Sequence, residues 1–259
     1  RSAGTDRNLV GIPFFIMRGF RNRCILTSDD SPITTLSDLR GKRIGLSGWQ
    51  DSGNTWTRAL LLEAGVPVDS IQWTLSRMTA ADRIDPERGK QFWDDRVVFH
   101  DPDETPLVDL LKAGKIDAIF QAFMPADFYS EGDGLRQLQP DFVSQEKAWF
   151  GRAGFVPGIH ILAMKADFIA AHPEAPRQLC ELLRASQNLW LAKRRKYFET
   201  TPWLIADLID MAKSLPEDWD PVGLEPNRRM LDEFARQQYL QKLTPVQRDA
   251  DFLFPVKTI

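Results

Sequence analysis

Residues 45–62, GLSGWQDSGNTWTRALLL, pass from an apolar run through a Gly/Ser/Asn turn into an amphipathic pattern. A strand that ends in such a turn and opens a helix presents backbone N–H groups to something negative. The turn Trp49, Gln50, Asp51, Ser52, Gly53 and Asn54 adds a hydroxyl and two side-chain amides, and Gly48 and Gly53 are expected to supply φ > 0 and close backbone approach. It lacks the Gly-Lys-Ser/Thr ending of a phosphate-binding P-loop. Arg58, four residues beyond Asn54, stands one turn below the positive helix end, where it either clamps a carboxylate or pairs with a surface acid. Trp49 is expected to stack on a ligand ring, whereas Trp56 lies on the apolar face and is expected in the core. His160 opens a strand after Pro157-Gly158-Ile159, where it either exchanges a proton with a ligand or is satisfied by backbone. Arg18 and Arg21 flank Gly19-Phe20 in a turn, and two arginines spaced this way are ordinarily solvated.

Other titratable clusters have plainer explanations. His100 sits beside Asp101, Asp103 and Glu104, but the run leads into a helix that Thr105 is expected to cap, and acids belong at that end for dipole reasons. No second His/carboxylate group stands at ligand spacing, so no metal is expected. His172 in AHPEAP marks a helix end.

These groups must be held by a substantial core. The chain has 259 residues, 43% of them hydrophobic and 27% charged, with 33 Lys+Arg against 36 Asp+Glu. A net charge of −3 carries no nucleic-acid footprint, and the basic run Lys193–Lys196 reads as the solvated end of a helix. Cys24 and Cys180, far apart in apolar surroundings, read as buried thiols of a reducing compartment. No run approaches the roughly 18 apolar residues of a membrane helix.

Short apolar runs at residues 9–17 and 24–28 predict strands separated by the turn-like RGFRNR. TTLSDLRGKRIGLS predicts a short helix capped by Thr34 or Thr35, a stop at Gly41 and a strand over 43–47. A helix opened by Asn54 and ended by Gly65, then a strand at SIQWTL, follow. Residues 78–98 are charged and irregular and read as a surface excursion. ETPLVDLLKAGKIDAIF predicts a helix stopped by Gly114 and a buried strand at 117–120. A polar, aromatic-rich segment precedes GIHILAMKADF, a strand running into a helix. Beyond residue 172 the apolar spacing is helical throughout. The alternation implies a mainly parallel sheet followed by a helical final third.

Five stretches together resemble the 4,5-dihydroxyphthalate decarboxylase family: VGIPFFIMRGFRNRCIL, WQDSGNTWTR, TPLVDLLKAGKIDAIF, FVPGIH and GLEPNRRMLDEFARQQYLQKLTP. They occur in order along nearly the whole chain, and LSDLRGKRIGLSG is similar to the entry strand of a solute-binding lobe. The resemblance implies a two-lobed, type II periplasmic-binding-protein-like α/β fold, with the opening strand–helix–strand of the first lobe absent from this chain. It divides the chain into 1–28 (partial first lobe and hinge strand), 29–158 (second lobe) and 159–259 (returning hinge strand and C-terminal helices). It further implies a cytoplasmic lyase of aromatic-acid breakdown that decarboxylates a hydroxylated aromatic acid in the inter-lobe cleft without cofactor or metal. Its ligand is a small aromatic carboxylate; neither nucleic acid nor membrane is a partner, and self-association is left open. Under the resemblance His160, Arg21 and Arg58 are catalytic, and Arg18, Trp49, Gln50, Ser52 and Asn54 bind substrate. Two departures stand out: Asn22 replaces a family histidine, and Phe123-Met124-Pro125 replaces Arg-Pro-Pro. Both weaken acid–base chemistry and favour the alternative, a solute receptor of an ABC-type importer.

Overall fold

The computed structural model describes residues 8–84, 98–122, 124–125, 128 and 134–255. The chain divides into two compact units, one of residues 1–19, 154–233 and 248–259 and one of residues 20–153 and 234–247.

The first unit is built on strand β1 (Leu9–Arg18) paired antiparallel with β8 (Gly158–Lys165). The register slips between Ile12 and Phe15, where Pro13 has no N–H to give the ladder. Ile12, Phe14 and Cys180 form its small buried core, with Leu162, Met164 and Val222 packed against them. Helices α4 (Ala166–Ala171), α5 (Ala175–Arg194), α6 (Leu204–Ser214) and α8 (Ala250–Leu253) belong to this unit, and the division between units falls inside α7 (Arg228–Leu240). The helical final third is as the apolar spacing required.

The second unit is a six-stranded sheet in the order β5-β4-β3-β6-β2-β7. Strands β3 (Arg43–Leu46), β4 (Gln72–Leu75), β5 (Val98–His100) and β6 (Ala118–Phe120) run parallel. Strand β2 (Ile25–Ser28) is antiparallel to both β6 and β7 (Leu135–Gln137). Alternation assigns the two faces. Ile25, Ile44, Leu46, Trp73, Leu75 and Phe120 pack with Leu61 of helix α1 (Ser52–Glu63). Leu26 and Ile119 pack with Leu107, Leu110 and Leu111 of α2 (Leu107–Lys112). Gly45 lies on this second face because a Cβ there would meet Leu107 Cδ2 at 2.6 Å. Helix α3 (Phe142–Ala153) completes the unit.

Several local expectations need correction. Helix α1 starts at Ser52 with Asp51 as N-cap, because the Asn54 amide turns back to the Gly48 carbonyl, 2.8 Å away, instead of capping. Helix α2 has Pro106, not Thr105, as N-cap; the Thr105 N–H is taken by Asp101 Oδ2 at 2.5 Å and its carbonyl by the Ser76 hydroxyl at 2.6 Å. The short helix before β3 is a single 3-10 turn, Leu36–Leu39, but Thr35 is its N-cap as expected, and the Asp38 carboxylate accepts from Thr34 N–H and Thr35 N–H. The expected stops hold: Gly41, Gly65 and Gly114 have φ of +73°, +73° and +65°. Gly48 and Gly53 are not among the positive-φ glycines; they are small because side chains lie on them. Strand β7 and helix α3 fall where only a polar, aromatic-rich segment was expected, and β5 begins at the end of the supposed excursion, whose residues 85–97 lie outside the described residues. Cys24 and Cys180 are free and buried, as expected.

Candidate functional site

Strand order alone locates a place for a ligand in the second unit. The chain leaves β3 toward β4 by way of α1 on one face, and comes back from β5 to β6 by way of α2 on the other. The C-terminal edge between β3 and β6 is therefore a topological switch point, where loops diverge and leave room. Because β2 runs antiparallel, its entry, residues 21–24, lies at this same edge beside the ends of β6 and β7. The Gln121 N–H donates to Cys24 O at 2.8 Å, tying the edge together.

Arg21 is the charged group placed here, and it is only 4% exposed. Its guanidinium rests on the first turn of α1: a Cβ on Gly53 would lie 2.8 Å from Nη2 and 2.9 Å from Cζ. Nε reaches Thr57 Oγ1 at a long 3.4 Å, and that hydroxyl already donates to Gly53 O at 3.0 Å. Neither Nη has a hydrogen-bond partner among the described residues. A cation set against the positive end of a twelve-residue helix doubles the local demand for an anion. Burial pushes the Arg21 pKa down, opposed by Cys24, assisted by Arg23 and opposed again by Glu146.

Arg58 is placed differently. It is fully buried, and its Nε donates to Gln241 Oε1 at 2.8 Å and its Nη2 to Trp49 O at 2.7 Å. Its plane lies 4.2 Å from the centre of the Trp49 ring. Gln241 Nε2 donates in turn to Thr55 O at 2.9 Å, so Arg58 links the turn, α1 and the 234–247 segment. Nη1 is buried without a partner. Burial drives the Arg58 pKa down to about 9, with Asp51 acting against that. The other edge of Trp49 meets Trp73, 5.4 Å between centroids, and the residue is 3% exposed. Trp56 is core, against Phe234 and Trp149. Gln50 and Ser52 are part-buried on the turn, and the Asp51 carboxylate folds over Gly48, whose missing side chain makes the space.

Two residues lie in the first unit. Arg18 has its guanidinium occupied: it pairs with Asp220 and donates to Pro221 O at 2.9 Å, Asn227 Oδ1 at 2.6 Å and Val156 O at 3.3 Å. It fastens the end of β1 to residues 220–227. His160 is exposed on β8, opposite Met17. Arg21, Arg58, Trp49, Gln50, Ser52 and Asn54 are thus gathered in one unit, while Arg18 and His160 belong to the other.

Sequence reasoning missed two polar residues at the edge, Gln121 and Glu146, and noted Asn22 only as a departure from the family. Asn22 is 4% exposed and its Nδ2 donates to Gln139 Oε1 at 2.9 Å, while Asn22 Oδ1 and Gln121 Oε1 are buried without partners. Glu146, on α3, is 7% exposed, and its Oε1 accepts from Arg23 N–H at 3.3 Å. Burial raises its pKa, opposed by that N–H and by the charges of Arg23 and Arg21. The one signal for Glu146 was its place on the Phe142, Trp149, Phe150 stripe of an unrecognised helix. Of the divergent residues, Phe123 lies outside the described residues. Among the described residues no cluster of His, Cys, Asp or Glu is arranged to hold a metal, and no helix is long and apolar enough to cross a membrane.

The NMT1/THI5-like family model matches residues 18–86, the span from Arg18 through β4. Over 247 residues the chain is 24% identical to a 4,5-dihydroxyphthalate decarboxylase of Comamonas testosteroni, covering 94% of this chain and 74% of that protein. It is 27% identical over 150 residues to a protein of the same name from Pseudomonas putida, covering 58% and 57%. The alkanesulfonate-binding protein SsuA of Xanthomonas axonopodis pv. citri, solved with MOPS bound, superposes with a TM-score of 0.54 at 14% identity, over 98% of this chain and 75% of that one. The five-motif resemblance to the 4,5-dihydroxyphthalate decarboxylases is borne out by two relatives of that name, and the α/β fold is shared with the alkanesulfonate-binding protein SsuA.

Proposed function

We propose that this chain decarboxylates a hydroxylated aromatic acid of the 4,5-dihydroxyphthalate kind, without an organic cofactor. The observation that carries this is Arg21, buried on the first turn of α1 with neither Nη partnered among the described residues, in a chain similar to two decarboxylases of such an acid. Arg21 and the α1 N–H groups hold a carboxylate by charge-assisted hydrogen bonds. Gln50 and Ser52 border it, Asn54 keeps the turn closed, and Arg58 with Trp49 braces the turn from beneath. Arg18 acts at a distance by fixing β1. His160 supplies the proton that replaces CO₂ on the ring, a transfer for which histidine is the commonest side chain. The reaction belongs to cytoplasmic breakdown of aromatic acids.

CO₂ release from a panel of hydroxylated benzoates and phthalates, run beside thermal-shift binding of the same compounds, tests the proposal. The expected result is release from at least one hydroxylated acid, lowered by about a hundredfold in His160→Ala with binding within about tenfold. Stabilisation by a ligand with no release from any compound would instead make the chain a receptor.

A further inference from the structure

We propose that Glu146 takes the proton of the substrate's ring hydroxyl, and thereby makes the site selective for hydroxylated over plain aromatic acids. This rests on the decarboxylation reading and adds the group that recognises the ring substituent.

Carboxylates are rarely enclosed without a partner. Glu146 is 93% buried on a helix face shared with Trp149, yet its one hydrogen bond among the described residues is a long one from Arg23 N–H to Oε1. Its Oε2 accepts nothing from them. The segment it bonds is the one that carries Arg21, and α3 holds that segment with rings as well: Phe20 stands 6.0 Å from Trp149 and 6.5 Å from Phe150. Helix α3 therefore sets the open oxygen of a base against the short segment that carries the open donors of Arg21. Arg21 and Arg23 face the carboxylate from the 20–24 turn and favour its ionised form; enclosure makes it a stronger base than a solvated glutamate. An aromatic acid has its negative charge at one end and its hydroxyl across the ring, so a cation and a base are the complementary pair.

The chemistry balances. As the ring carbon bearing the carboxylate gains a proton, the hydroxyl passes its proton to Glu146, giving a dienone carboxylate. The C–C bond breaks, its electron pair returns to the ring, CO₂ leaves, and the proton returns from Glu146 to the oxygen. One proton is consumed for each CO₂ released.

Binding separates this from the parent reading. Calorimetry with phthalate and 4,5-dihydroxyphthalate on the intact chain should show the dihydroxy acid favoured by at least about tenfold, the size of a hydrogen bond to a charged group. Glu146→Gln, which keeps an acceptor for Arg23 N–H, should remove most of that preference, leave phthalate affinity within about threefold, and slow CO₂ release by about a hundredfold. If the glutamine variant does not fold, Glu146→Asp should weaken the preference while leaving phthalate binding intact. A preference that survives either substitution, or an unmodified chain with none, overturns the assignment. CO₂ release unchanged in Glu146→Gln defeats Glu146 alone. A Glu146-dependent preference without any CO₂ release defeats the decarboxylation reading and leaves Glu146 as the hydroxyl acceptor of a receptor.

Discussion

Gly53→Ala separates what the candidate site does from what holds it together. The added methyl would sit 2.8 Å from Arg21 Nη2, 2.9 Å from Cζ and 3.3 Å from Nη1, against the 3.4 Å or more of ordinary contact. The guanidinium must retreat by more than half an ångström. It has little to lose, since among the described residues its side chain is anchored only by the 3.4 Å contact to Thr57 Oγ1. Alanine also favours the helix over glycine by up to about 1 kcal/mol. The two effects nearly cancel, so stability should stay within about 1 kcal/mol of the parent in a urea titration. Binding is another matter, because a bidentate carboxylate contact does not survive such a displacement. Losing about 1.4 to 3 kcal/mol of a charge-assisted interaction weakens an aromatic dicarboxylate by about ten- to a hundredfold in calorimetry. A variant that binds the acid as tightly as the parent would show that the carboxylate is not held at Arg21 and the start of α1.

Other consequences follow from the buried charges. Gln241→Leu removes the acceptor of Arg58 Nε and the donor to Thr55 O, leaving a buried cation short of partners, and should cost about 2–4 kcal/mol in chemical denaturation; a loss under about 1 kcal/mol would refute the bracing role of Arg58. Arg18→Met leaves Asp220 without its cation and should cost about 3–5 kcal/mol, detectable in the same assay, whereas a ligand-only role for Arg18 predicts no change. Glu146 has a folded-state pKa raised above 4.5, so the folded chain keeps a proton that the unfolded chain releases in that interval, and stability falls as pH rises through it. Glu146→Gln should therefore raise the melting temperature at pH 7, with the gain fading toward pH 4.5; a gain that grows on acidification would contradict the sign.

Much of the framework was legible because it follows from local rules. Short apolar runs marked β1, β2, β3, β4 and β6, and glycines at Gly41, Gly65 and Gly114 marked the stops, since only a residue without Cβ enters φ > 0 cheaply. Helix α3 and strand β7 were harder to see. β7 is three residues long, and α3 breaks its apolar stripe with Glu146, the feature that gives it chemical interest.

The site was legible in its parts but not in their partners. The turn at 48–54, Arg58, Arg21 and the QQYLQKL stretch all stood out along the chain, yet nothing local says that Gln241, 183 positions from Arg58, is its acceptor. Nor does spacing show that Asn227 of the Pro-Asn-Arg motif receives Arg18, or that the space on Gly53 belongs to Arg21. Side-chain type and short-range periodicity decide which segments form strands and helices, because those depend on neighbours within a turn or two. Which cation is satisfied and which left open for a ligand depends on burial and on partners brought from distant segments, and only the tertiary structure decides that.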